Sequence, residues 1–220
     1  MRTLKFILFL LISAPSFGQS TLDTKYSADV CACLDSLKKT GLTEQNLPDC
    51  FQKAMQQNRD LIFQETKEKY GNTSEASGYK FGAELAKRMM ISLVRDCKTY
   101  FILTDSLRYE DYKNLNQDSL RLQLRILNQT EDSLRNSEFY SNEALIFFEL
   151  KNYDSSLSAI KKSLNLSSNN FQSLYIKAWI KEIKGNYDEA ILLYNKVAQL
   201  THENSFYIFS EVAKRKKNGM

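Results

Sequence analysis

The chain has 220 residues, 43% of them apolar, which suffices for one large or two small packed cores and excludes a natively disordered chain. Two prolines and seven glycines leave little to interrupt helices. The formal net charge is +4, or +2 without Arg2 and Lys5, which excludes a strong whole-protein field for collecting nucleic acid or anionic lipid.

Residues 1–18 read as a secretory signal peptide. Arg2 and Lys5 precede an apolar run from Phe6 to Ile12, and Ser16 and Gly18 occupy the minus-three and minus-one places for cleavage before Gln19. The run is too short to span a bilayer. The first cysteine, Cys31, lies too far on to carry a lipid anchor, so the expectation is a soluble, exported protein, periplasmic or secreted.

Residues 19–101 read as a three-helix domain. Tyr26, Val30, Cys33, Leu34 and Leu37 recur at three and four, giving a helix from Asp23 to about Thr40 that stops at Gly41. A second helix opens near Asn46, with Pro48 and Asp49 in its first turn, and runs to Gly71. The third carries Phe81, Leu85, Met89, Leu93, Cys97 and Phe101 at steps of four, and its Gly78 and Gly82 offer a small-xxx-small face.

All four cysteines, Cys31, Cys33, Cys50 and Cys97, fall in this domain, and an even count behind a signal peptide predicts two disulfides. Cys31 and Cys33 point in different directions on a helix and require different partners, so both bridges tie the first helix to the others. Which pairs with which stays open. A four-thiolate metal site and a redox pair both lack the Cys-x-x-Cys spacing they use.

Residues 102–136 hold Asp105-Ser106-Leu107, Asp118-Ser119-Leu120 and Asp132-Ser133-Leu134, each a good helix start, and read as linking helices or a degenerate repeat. Beyond them, Lys151-Asn152-Tyr153-Asp154 aligns with Gly185-Asn186-Tyr187-Asp188 at a separation of 34 residues. The same offset pairs Ala144 with Ala178, Ser156 with Ala190, Leu166 with Leu200 and Asn170 with Asn204. Phe206, Tyr207, Phe209 and Val212 mark a final capping helix, and Lys214 to Lys217 read as its solvated end.

Residues 137–204 resemble two tetratricopeptide repeats, with Ala144, Ser156, Ala178 and Ala190 at the small places and Tyr153 and Tyr187 before each second helix. Ser168 and His202 stand where proline is usual, Ser163 where a small apolar residue is usual, and Glu143 and Lys177 where leucine is usual. The resemblance implies paired antiparallel helices whose first members line a concave, protein-binding face. The places that commonly meet ligand are Glu138, Ser141, Leu145 and Phe148 in one repeat and Gln172, Tyr175, Trp179 and Glu182 in the next. Trp179 is the foremost contact candidate, the alternative being that it packs on a linking or capping helix. Ser141 and Leu145 replace the lysine and asparagine of the family's carboxylate clamp.

The reading is therefore all-α: a disulfide-stapled three-helix domain followed by a short tetratricopeptide-like array spanning residues 137–220 with its cap. No catalytic residue, metal ligand or cofactor is nominated, since His202 is the only histidine and lies in a turn, and no phosphate loop or paired catalytic carboxylate is present. The leading function is a non-enzymatic adaptor or assembly factor holding another polypeptide, without nucleic acid. Two alternatives are an envelope or stress component recognised through its cysteine domain, and an enzyme or small-molecule binder using an inter-domain cleft.

Overall fold

The computed structural model describes residues 21–38, 46–113 and 115–219. The expected signal peptide and the stop at Gly41 lie outside these residues. Among the described residues there are helices and no strands, and no helix is long and apolar enough to cross a membrane.

The first core is built by α1 (Thr21–Leu37), α2 (Leu47–Gln57), α3 (Arg59–Tyr70), α4 (Glu75–Asp96) and the start of α5 (Lys98–Lys113). Steps of four along α1 bury Leu22, Tyr26, Val30 and Leu34 against Phe81, Leu85, Met89 and Leu93 of α4. Arg88 reinforces this seam by donating to Asp23 Oδ1 from Nη2 at 2.9 Å and Nε at 3.1 Å.

Two of the three expected helices are broken. Asn58 interrupts the second: its side chain donates to the Ala54 carbonyl at 2.8 Å and to Asp29 at 2.7 Å, competing with the helical ladder and bending the chain between α2 and α3. Cys97 interrupts the third with an extended backbone at φ −103°, ψ 112°, after which α5 continues beyond Phe101 to Lys113. The Gly78 and Gly82 face receives no neighbour, nothing lying within 4 Å of a Cβ built at either position.

The four cysteines form two disulfides, Cys31–Cys97 and Cys33–Cys50, so each bridge does tie α1 to another element. They enclose 66 and 17 residues. By loop-closure entropy, removing the first with serines is expected to cost about 4 kcal/mol and the second about 3 kcal/mol. Urea unfolding of the two double-serine variants checks both the magnitudes and their order.

The second half begins with α6 (Gln117–Leu127), capped by Asn116, and a 3-10 turn at Asp132–Leu134. Of the three Asp-Ser-Leu segments, only that at Asp118 opens a helix. Asp105 lies inside α5 and Asp132 begins the 3-10 turn. Then come α7 (Ser137–Glu149), α8 (Tyr153–Leu166), α9 (Phe171–Ile183), α10 (Tyr187–Thr201) and α11 (Asn204–Lys217). Asn136, Asn152 and Asn170 cap α7, α8 and α9, each side-chain oxygen accepting from a backbone N–H in the first turn.

The small positions work as the 34-residue period requires. Ala144, Ala178 and Ala190 are fully buried between paired helices, and Ser156 returns its hydroxyl to the Ala144 carbonyl at 2.8 Å. Ser163, polar where the repeat usually has a small apolar residue, is satisfied: it donates to the Ser137 carbonyl at 2.8 Å and accepts from Ser173 Oγ at 2.8 Å. Lys151 turns the chain at φ 58° where the second repeat has Gly185 at φ 77°. Lys151→Gly is therefore expected to raise stability by about 1 kcal/mol, since a side chain is strained in the left-handed region and glycine is not. A higher denaturation midpoint at unchanged slope is the check.

The last helix closes both halves. Val212 enters the first core, while Ala213 of the next position packs with Ala178, Ala190 and Tyr194 in the repeats. Arg215 Nη1 donates to the Val94 and Cys97 carbonyls at 2.6 and 2.9 Å, and Lys87 of α4 lies 4.0 Å from the Tyr207 ring centroid. The basic end of α11 is thus only in part the solvated tail its composition suggests: Lys214 and Lys217 are exposed, while Arg215 and Lys216 turn inward. The break at Cys97 frees a carbonyl that Arg215 takes, and Arg215 is only 6% exposed.

Candidate functional site

The first helices of the two repeats, α7 and α9, present their inner faces together with α11, and helix α5 fills the concavity they form. Contact is made by side chains on one face of α5. Tyr112 lies edge-on to Trp179 at 5.0 Å between ring centroids and to Phe148 at 5.7 Å, and Tyr109 meets Trp179 at 5.4 Å. Phe148 and Tyr175 pack on Trp179 from their own helices at 5.1 and 5.6 Å.

Beneath this aromatic layer lies a buried charge network. Arg108 Nη2 donates to Glu182 Oε2 at 2.9 Å and contacts the Tyr194 hydroxyl at 3.3 Å, while Tyr194 donates to the same carboxylate oxygen at 2.8 Å. Lys216 of α11 donates to Glu182 Oε1 at 2.9 Å and to Asp105 Oδ1 at 2.7 Å. The Arg108 guanidinium also lies over Phe209 and Trp179, 4.8 and 5.2 Å from their centroids. Glu182 is 3% exposed.

Burial pushes the Glu182 carboxyl up, but the facing Arg108 and then Lys216 more than reverse this and hold it below the usual carboxylate range. Burial likewise opposes the charge on Arg108, and Tyr194 and Glu182 overcome it, leaving the guanidinium firmly protonated. Lys216 is raised by the same carboxylates against its own burial. The Tyr175 and Tyr194 hydroxyls are pushed up chiefly by desolvation. None of these groups is poised to exchange a proton near neutrality, so the network reads as a latch rather than acid-base machinery.

The eight residues expected on the binding face separate into three groups. Glu138 is exposed at the rim. Ser141 and Gln172 join α7 to α9, Ser141 Oγ lying 3.2 Å from Gln172 Oε1. Leu145, Phe148, Tyr175, Trp179 and Glu182 lie in or beside the concavity, but Trp179 is only 2% exposed and Glu182 is ion-paired, because α5 covers them. Trp179 therefore packs on a helix of the linking stretch, and the expected open aromatic stripe is closed in this structure. His202 is an exposed C-cap at φ 59°.

Sequence reasoning missed the partners of this face: Asp105, Arg108, Tyr109, Tyr112, Tyr194 and Lys216. Four of them stand at 105, 108, 109 and 112, the spacing of one helical face, which was the signal available. Beside α5 an open cavity of about 640 Å³ is lined by Tyr109, Lys151, Tyr153, Tyr187 and Lys216 among others.

Residues 137–170 and 171–203 match the tetratricopeptide repeat family. No curated protein and no solved structure matches the chain. With α7–α8 and α9–α10 as successive antiparallel pairs over those same residues, residues 137–203 of the chain form two tetratricopeptide repeats.

Proposed function

We propose that this protein is an exported, non-catalytic adaptor whose repeats hold a helical segment of another polypeptide. Tetratricopeptide repeats generally mediate protein-protein interaction. The observation that carries the reading is that the concave face already grips a helix, through aromatic rings and a buried carboxylate rather than through a close backbone fit. Leu145, Phe148, Tyr175, Trp179 and Glu182 supply the gripping surface, and Glu138 and Gln172 its rim. Export is supported by the leader-like residues 1–18 and by two disulfides, which persist in oxidising compartments.

A photo-crosslinking residue placed at Leu145 or Ile183, beside the groove, tests this against one placed at Phe63 or Tyr79, on the exposed side of the first core. The adaptor reading expects a second polypeptide on the repeat positions. Crosslinks confined to Phe63 and Tyr79 would make the cysteine-bearing half the recognition unit and the repeats its support, and no crosslink at any position would defeat both readings.

A further inference from the structure

We infer that α5 is a displaceable occupant of the repeat groove, and that the groove takes a partner helix carrying an arginine with tyrosines one and four places after it and an acid three places before. This rests on the adaptor reading above and names the chemistry of its partner.

The groove side of α5 is Asp105, Arg108, Tyr109 and Tyr112, spaced i, i+3, i+4 and i+7, which is the anchor spacing by which amphipathic helices lie in grooves. Each anchor has a counterpart: Asp105 meets Lys216, Arg108 meets Glu182, and both tyrosines meet Trp179. A helix presenting those four groups would meet the same counterparts.

The two ends of α5 answer to different neighbours. Tyr100 and Phe101 are buried in the first core beside the Cys31–Cys97 bridge, whereas from Asp105 onward the contacts are with α7, α9, α10 and α11. The C-terminal half can therefore leave the groove without opening the first core. Its hold is imperfect, since Arg108 Nε and Nη1 and Trp179 Nε1, all buried, find no hydrogen-bond partner. Native buried donors are rarely left so. Arg108 leaves with α5, so the donor that remains in the groove is Trp179 Nε1; an incoming helix that brings an acceptor to it gains where α5 does not, and the open cavity at Tyr109 and Tyr187 gives it a way in.

Closure also sets the apparent affinity. A tethered occupant competes at high effective concentration, so the partner's dissociation constant is multiplied by the inverse of the open fraction. Weakening α5 should strengthen capture of an external helix.

The test uses the full chain and a fluorescent peptide of residues 102–115. Wild type is expected to bind it weakly, and Tyr109→Ala/Tyr112→Ala protein at least tenfold more tightly, with a peptide bearing Arg108→Ala showing no saturable binding. A variant that keeps its cooperative melt yet gains no affinity overturns the proposal. If that variant fails to fold, hydrogen exchange on wild type decides: exchange of residues 105–113 ahead of α7–α10 upholds displacement, and exchange of α5 only with global unfolding makes it a fixed wall. The adaptor reading fails separately. A groove that takes the peptide while no cellular polypeptide crosslinks at Leu145 sinks that reading and leaves this one.

Discussion

Glu182→Ala should be among the most destabilising single changes, with an expected loss of about 3 to 5 kcal/mol, because it leaves the Arg108 guanidinium buried without its carboxylate and takes one of the two acceptors of Lys216. Removing the charge on both sides should cost less than removing one. Glu182→Ala combined with Arg108→Leu is therefore expected to recover part of the loss, and a double-mutant cycle on urea unfolding measures the coupling. Additive losses would mean that the pair does not act as a unit. The same pair sets an acid dependence. The folded Glu182 pKa lies below its ordinary value of 4.5, so its stabilisation is fully present above that value and is lost as pH falls through the lower, folded one. Melting temperature should fall more steeply with acidification in wild type than in Glu182→Gln.

Trp179→Ala should lower stability by about 3 to 5 kcal/mol, because the indole is enclosed by Tyr109, Tyr112, Phe148 and Tyr175 and its removal leaves a large cavity. In a chain of this size that corresponds to a fall in Tm of roughly 6 to 20 °C. Trp179→Phe should retain much of the packing and lose far less. An unchanged Tm in Trp179→Ala would show that α5 and the indole are not in contact in solution, and would restore the picture of an open aromatic stripe.

The repeats were readable because their signal is local and duplicated. The tyrosines at 153 and 187, the small residues at 144, 156, 178 and 190, and the asparagines at 152 and 170 each act within a helix pair, and their positions follow from the 34-residue offset. In the first half the core stripes of α1 and α4 were equally plain. The breaks at Asn58 and Cys97 were not, because each depends on a distant group: Asp29 accepts from Asn58, and Cys31 bonds to Cys97.

The concave face of the repeats shows the same division. Placing Phe148, Tyr175, Trp179 and Glu182 on one surface needed only the repeat register. Knowing that a helix of the same chain covers that surface needed the pairing of Arg108 with Glu182, 74 residues apart, for which a single sequence carries no local mark. The basic run at the C-terminus misled for a related reason. Lys214 and Lys217 are exposed as composition suggests, but the helical turn between them directs Arg215 and Lys216 inward onto α4, α5 and α9.

The docking of α11 bears on the order in which the protein can be made. Arg215 reaches carbonyls 118 and 121 residues earlier, and Val212 completes a core begun by Leu22, so the first half to emerge stays unsealed until the last helix has been synthesised. The Cys33–Cys50 loop is short and can close early, whereas the region around Cys97 keeps an exposed seam until α11 arrives.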